Sequence, residues 1–142
     1  MKKTIILLVL FCTISTSFSQ AFEGIGDRKL QGGLNVYGYG SGLVGTFDYG
    51  ITKFISLGAG AEFYFNNNDN DNFFIFGRGN FHLGELLNLP REMDLYPGIN
   101  LGVHGDSFGL GAHLGYRYFF TDNLGAFVEI GSHGSLGISY SF

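Results

Sequence analysis

The run Leu136-Gly137-Ile138-Ser139-Tyr140-Ser141-Phe142 alternates large apolar with small side chains at every step and ends on an aromatic. In an extended chain this alternation puts every large residue on one face. A strand like that is hazardous at the edge of a sheet, because its unpaired N–H and C=O groups recruit other chains; closing the sheet into a barrel removes the edge. Closure needs partner strands with the same one-sided pattern, and the chain contains them.

Eight alternating segments can be placed, at Leu30 to Tyr39, Gly42 to Tyr49, Phe54 to Phe65, Phe73 to His82, Asp94 to His104, Phe108 to Phe119, Leu124 to Gly131 and Ser135 to Phe142. A face can be chosen in each by its apolar residues alone, such as Leu34 and Val36, Leu57 and Phe63, Ile99 and Val103, or Leu114 and Tyr116. Asp48, Glu62, Arg78, His82, Asp94, His104, His113, Arg117 and Glu129 then all fall on the opposite face. A charge turned to lipid at mid-bilayer costs roughly 2–4 kcal/mol for Arg or Lys, which explains a charge-free outer face; a soluble sandwich would put charges outside. The expected fold is all-β, an eight-stranded antiparallel up-and-down transmembrane barrel with both termini periplasmic.

Loop parity agrees with these faces. Gly40-Ser41 suits a two-residue type II′ turn with Gly leading, and Asp106-Ser107 reads as a second two-residue turn. Pro97 lies on the outward face of the fifth segment and cannot donate to a ladder, so a bulge or an open bond is expected there. The stretch from Leu83 to Met93 is long for a periplasmic turn and reads as a half-turn of helix at the mouth.

Composition fits a tight β-structure. Glycine makes up 24 of 142 residues, yet aromatics reach 17%, which argues against a disordered glycine-rich chain. Leu57-Gly58-Ala59, Leu101-Gly102-Val103, Leu110-Gly111-Ala112, Leu124-Gly125-Ala126 and Leu136-Gly137-Ile138 repeat one theme, glycine inward between outward apolar residues. An eight-stranded interior is only wide enough for side chains to fill it, so inward glycines make room for large neighbours.

Lys2-Lys3, an apolar run from Ile5 to Cys12 and the small residues Ser17 and Ser19 read as a cleaved secretory signal over residues 1–19. Its removal takes the one cysteine with it and leaves six basic against twelve acidic residues. No basic cluster remains to favour nucleic acid as a partner. Residues 20–29 are read as a periplasmic arm and 30–142 as the barrel.

The terminal stretch resembles the C-terminal signal of bacterial outer-membrane β-barrels, with an aromatic last residue, Phe142, and apolar or aromatic residues at Tyr140, Ile138 and Leu136. The mature chain as a whole resembles the small eight-stranded barrels of the OmpX and OmpA-domain type, nearest to members with short surface loops. That resemblance implies residence in outer-membrane lipid and insertion by the barrel-assembly machinery with periplasmic chaperones. Leu136, Ile138, Tyr140 and Phe142 would be the residues that the machinery reads.

Three constellations could carry chemistry. The inward set Asp48, Glu62, Arg78, Asn100, His113, Arg117 and Glu129 reads as a polar network filling a narrow lumen, or as a path for protons or solutes. A symmetrical loop at Asn66 to Asn72 would set Gly60 opposite Arg78 with Glu62 diagonal to it; comparable turns would set His113 opposite both Glu129 and Asn100. Asn66, Asn68, Asp69 and Asp71 could supply oxygen ligands to a divalent cation, although the loop lacks the glycine and glutamate of an EF-hand. Ser41, Asp106, Ser107, Ser132 and His133 share the outer rim, but such short loops cannot enclose a substrate. The expectation is therefore a non-enzymatic barrel with a structural or surface-binding role, without cofactor, resident metal or nucleic-acid partner. A narrow pore and a soluble lipocalin-like carrier are the alternatives.

Overall fold

The structure is a computed structural model that describes residues 20–65 and 72–142. Eight strands follow one another: β1 (Arg28–Tyr37), β2 (Gly42–Gly50), β3 (Ile55–Tyr64), β4 (Phe73–Phe81), β5 (Met93–His104), β6 (Ser107–Phe119), β7 (Leu124–Gly131) and β8 (Gly134–Ser141). Each pairs antiparallel with the next, and β1 closes on β8. The all-β up-and-down barrel anticipated from alternation is the fold observed. Burial follows the alternation along the walls; β2, for example, is buried and exposed by turns over its whole length.

The stagger of the strands follows from the register. Stepping between paired residues from Phe108 through Val103, Ile75, Ala61, Gly45, Gly32, Ile138 and Ala126 returns to β6 at Tyr118, ten residues further along. Such a stagger in an eight-stranded barrel tilts the strands by about 40° and leaves a lumen that side chains can fill.

Sequence and structure part at the hairpins. β1 starts at Arg28, so Arg28 and Lys29 belong to the wall and not to the arm. The first hairpin is not a two-residue turn: the β1–β2 pairing ends at Asn35–Gly42, beyond which Val36 and Tyr37 continue β1 alongside β8 and the chain returns through Gly38 to Ser41. Asn35 Nδ2 donates to the Gly40 carbonyl at 2.6 Å and Ser41 Oγ to the Val36 carbonyl at 2.9 Å, fastening that loop. The β5–β6 turn is Gly105-Asp106, one residue earlier than expected, because Gly105 takes the positive φ of 57° that a side chain resists.

Three pairings inside the barrel also slide by two residues. Arg78 faces Gly58, Glu129 faces Gly115, and His113 faces Gly98. The slide preserves every face assignment, because side-chain direction repeats every two residues. Local turn chemistry sets the step. At β6–β7 Thr121 Oγ1 accepts from the Leu124 N–H at 3.0 Å, and at β5–β6 the Gly105-Asp106 turn sets His104 opposite Ser107.

At Pro97 the β5–β6 register runs unbroken, so the strand carries no bulge on that side. The β4–β5 ladder stops at Asn80–Gly98 and resumes where the Leu83 N–H donates to the Leu95 carbonyl at 2.8 Å. One open bond is therefore the consequence of the proline.

Candidate functional site: a filled lumen

Along β4 the inward residues run Phe74, Phe76, Arg78, and their partners on β3 are Glu62, Gly60 and Gly58. The lumen is thus layered. Glycine appears where a large side chain crosses: a Cβ on Gly60 would sit 2.6 Å from the Phe76 ring, and one on Gly115 would sit 2.2 Å from the Tyr96 ring.

The layer at the β5–β6 turn end is aromatic with one carboxylate. Tyr39 stacks on His104 at 3.8 Å and meets Phe74 and His133 edge-on. Glu62 accepts a hydrogen bond from the Tyr64 hydroxyl and lies 2.9 Å from His133 Nδ1. Beneath it Tyr64, Phe74 and Phe76 form a buried apolar cluster. Phe74 and Phe76 stack at 4.9 Å.

The central layer gathers the charges. Arg78 Nη2 donates to Glu129 Oε1 at 2.6 Å, and its Nε lies 3.1 Å from Asp48. Asp48 is also 3.6 Å from Arg117, and both contacts are ion pairs without hydrogen-bond geometry. The Tyr96 hydroxyl donates to Glu129 at 2.9 Å, and Arg117 lies over the Tyr96 ring at 4.6 Å while donating to Gln31. Removing several charges from water is costly unless each finds a partner, and in this layer they are reciprocally paired.

The third layer closes the other mouth. His82 Nδ1 lies 2.5 Å from Asp94 and His82 Nε2 lies 2.8 Å from Ser56 Oγ. This is the order of a Ser–His–Asp relay. Ser56, however, is only 1% exposed, and Phe22 stacks on the imidazole at 3.5 Å. The nucleophile position is therefore covered, and the three groups act as a fastening. Burial holds the His82 imidazole below its ordinary range, against the opposing pull of the Asp94 hydrogen bond.

Residues ahead of β1 complete that closure. The Ala21 N–H donates to the Arg91 carbonyl at 2.7 Å, and the Gly26 N–H to the Gly50 carbonyl at 2.8 Å. Asp27 pairs with Lys29, which is wholly buried and also reaches Ser141 Oγ at 3.1 Å. The Leu83 to Met93 connection makes one helical turn, with the Leu87 N–H bonded to the Leu83 carbonyl, and turns back at Asn88 with φ 53°. A cavity of about 440 Å³ remains between this connection and the arm, reaching Phe22, His82, Arg91 and Asp94.

Asp48, Glu62, Arg78, Asn100, His113, Arg117 and Glu129 are all buried in the lumen. Asp48, Arg78, Arg117 and Glu129 meet in one cluster. Glu62 is apart with His133, so the anticipated Glu62–Arg78 pair does not form. His113 Nε2 lies 2.8 Å from Asn80 Oδ1, with neither Glu129 nor Asn100 across the ladder from it. Gln31, Asn80 and Tyr96 also belong to the network; they are neutral, so charge does not single them out, and strand parity is the one sequence signal that points them inward. Leu136, Ile138, Tyr140 and Phe142 are exposed on the outer wall, and Phe142 packs on Tyr140 at 5.3 Å. The cation loop Asn66, Asn68, Asp69 and Asp71 lies outside the described residues, as does the 1–19 segment. Of the rim residues, His133 is engaged by Glu62 and Ser132 Oγ accepts from the Ala112 N–H at 3.0 Å, so no relay assembles there.

Fold and lumen together define a closed eight-stranded barrel of the filled kind. A designed transmembrane β-barrel has a similar fold, with 18% identity and a TM-score of 0.67 over 84% of this chain and 98% of that one. The chain belongs to a family of unknown function, DUF6646, whose model matches residues 11–135. No curated protein matches it.

Proposed function

We propose that the protein is a non-enzymatic integral outer-membrane barrel of the small OmpX and OmpA-domain type, with a structural or surface-binding role. The observation that carries this reading is the outer wall. Every outward strand position is uncharged except Arg28, at the first position of β1, where its guanidinium lies 5.9 Å from the Phe142 ring. Leu34, Leu57, Ile75, Ile99, Val128 and Ile138 are all exposed on that wall. A soluble monomer rarely presents a contiguous apolar patch beyond a few hundred Å², whereas a membrane barrel needs an apolar band about 25 Å tall. In this reading the signal is removed on export and both termini face the periplasm. Outer-membrane lipid is the permanent partner, and the assembly machinery and chaperones are transient ones.

A filled lumen favours this role over a pore. The Tyr64–Phe74–Phe76 cluster and the Arg78–Glu129 layer block the axis at two levels. It also disfavours a lipocalin-like carrier, whose interior must receive an apolar ligand.

Membrane fractionation with heat-modifiable gel mobility tests the reading. Recovery in the outer-membrane fraction, with a mobility shift on boiling, is expected; recovery as a soluble periplasmic protein would refute it.

A further inference from the structure

The β5–β6 hairpin outruns its neighbour. β6 begins at Ser107, but its pairing with β7 begins at His113–Gly131. Even-numbered positions of β6 turn their backbone groups towards β7, as the reciprocal bonds between Ala112 and Ser132 establish; odd positions turn to β5, as the Phe119 N–H to Glu92 carbonyl bond does. The N–H and C=O groups of Phe108 and Leu110 therefore point to the side where, among the described residues, no strand lies. Their side chains face outward and are each 72% exposed. Strand edges are ordinarily guarded by charge, proline or a bulge. Phe108-Gly109-Leu110-Gly111 has none of these.

We propose that this edge of β6 binds an extended segment of another polypeptide as an added strand, the segment carrying apolar residues at alternate positions to lie beside Phe108 and Leu110. The inference rests on the surface-binding reading above and supplies its partner chemistry. Two donor–acceptor sets repeating every second residue match an extended backbone and no compact ligand. A second copy in the same membrane does not fit. Strands tilted by about 40° cross at about 80° after a twofold rotation about the membrane normal, whereas paired strands lie within roughly 25° of each other.

The test uses the full mature chain in lipid nanodiscs and a fluorescein-labelled heptapeptide of alternating Val and Thr. In the free protein the Phe108 and Leu110 amides should exchange hydrogen rapidly while those of Gly109 and Gly111 are protected; the peptide should slow the first two. Leu110→Pro removes one edge donor without touching the β5 ladder and should weaken binding about tenfold, the worth of one hydrogen bond to a well-aligned strand. Leu110→Ala keeps the donor and should bind more tightly than Leu110→Pro. Protected Phe108 and Leu110 amides in the free protein, equal binding by the two variants, or a dimer that Leu110→Pro dissolves would each overturn the proposal. Heat-modifiable mobility of the same samples reports separately on the barrel reading.

Discussion

Arg78 Nη2 lies 2.6 Å from Glu129 Oε1, although one residue is on β4 and the other on β7, 51 positions later. The pair spans the lumen and ties together strands that share no ladder. Removing one partner strands a buried charge. Arg78→Leu should therefore destabilise the barrel by about 3–5 kcal/mol, and the Arg78→Leu/Glu129→Leu double variant should be less destabilised than Arg78→Leu alone. Urea unfolding in micelles followed by mobility on unboiled gels measures both; additivity of the two changes would rule out the coupling.

Gly115 is where Tyr96 crosses the lumen, with no room for even a methyl group. Gly115→Ala should cost about 1–3 kcal/mol through overpacking. Tyr96→Leu in the same chain should recover part of that loss, and a Gly115→Ala barrel as stable as wild type would show that the wall yields freely.

Phe22 covers His82 from the arm. Phe22→Ala should lose about 1 kcal/mol and speed hydrogen exchange at the Ala21 amide. It should not produce steady conductance steps in planar bilayers, because the layers above remain shut. Discrete channels from this variant would revive the pore.

His82 follows the end of β4 and titrates below the ordinary imidazole value of 6.5 because it is buried. The unfolded chain then binds protons first as the pH falls, so this group's contribution to stability is complete above about pH 6.5 and declines below it, until the folded imidazole is protonated too. The urea midpoint should drop on acidification through that window, and His82→Gln should flatten part of the drop. A profile for His82→Gln identical to wild type would exclude this group as a source.

Much of this architecture was legible because a strand carries one bit of information per residue. Asp48, Arg78, Arg117 and Glu129 could be assigned to one side from their positions relative to Phe47, Gly77, Tyr116 and Val128 alone. Which of them touch was not legible. Parity is unchanged by a two-residue slide, so the alternation that puts Arg78 and Glu62 inside is equally satisfied by pairings that bring them together or keep them apart. At β6–β7 and β5–β6 the slides were decided by Thr121 and Gly105, whose local hydrogen bond and positive φ close those turns at particular residues.

The sequence by itself determined that there are eight strands, which face of each is apolar, and that the charges share the other, since period-two alternation and the cost of charge in an apolar medium operate strand by strand. Only the tertiary structure decided that Arg78 reaches Glu129, that the arm covers His82, and that β6 stands proud of β7. Those contacts depend on the stagger accumulated round a closed wall, and a stagger is a sum over all eight pairings that no single segment encodes.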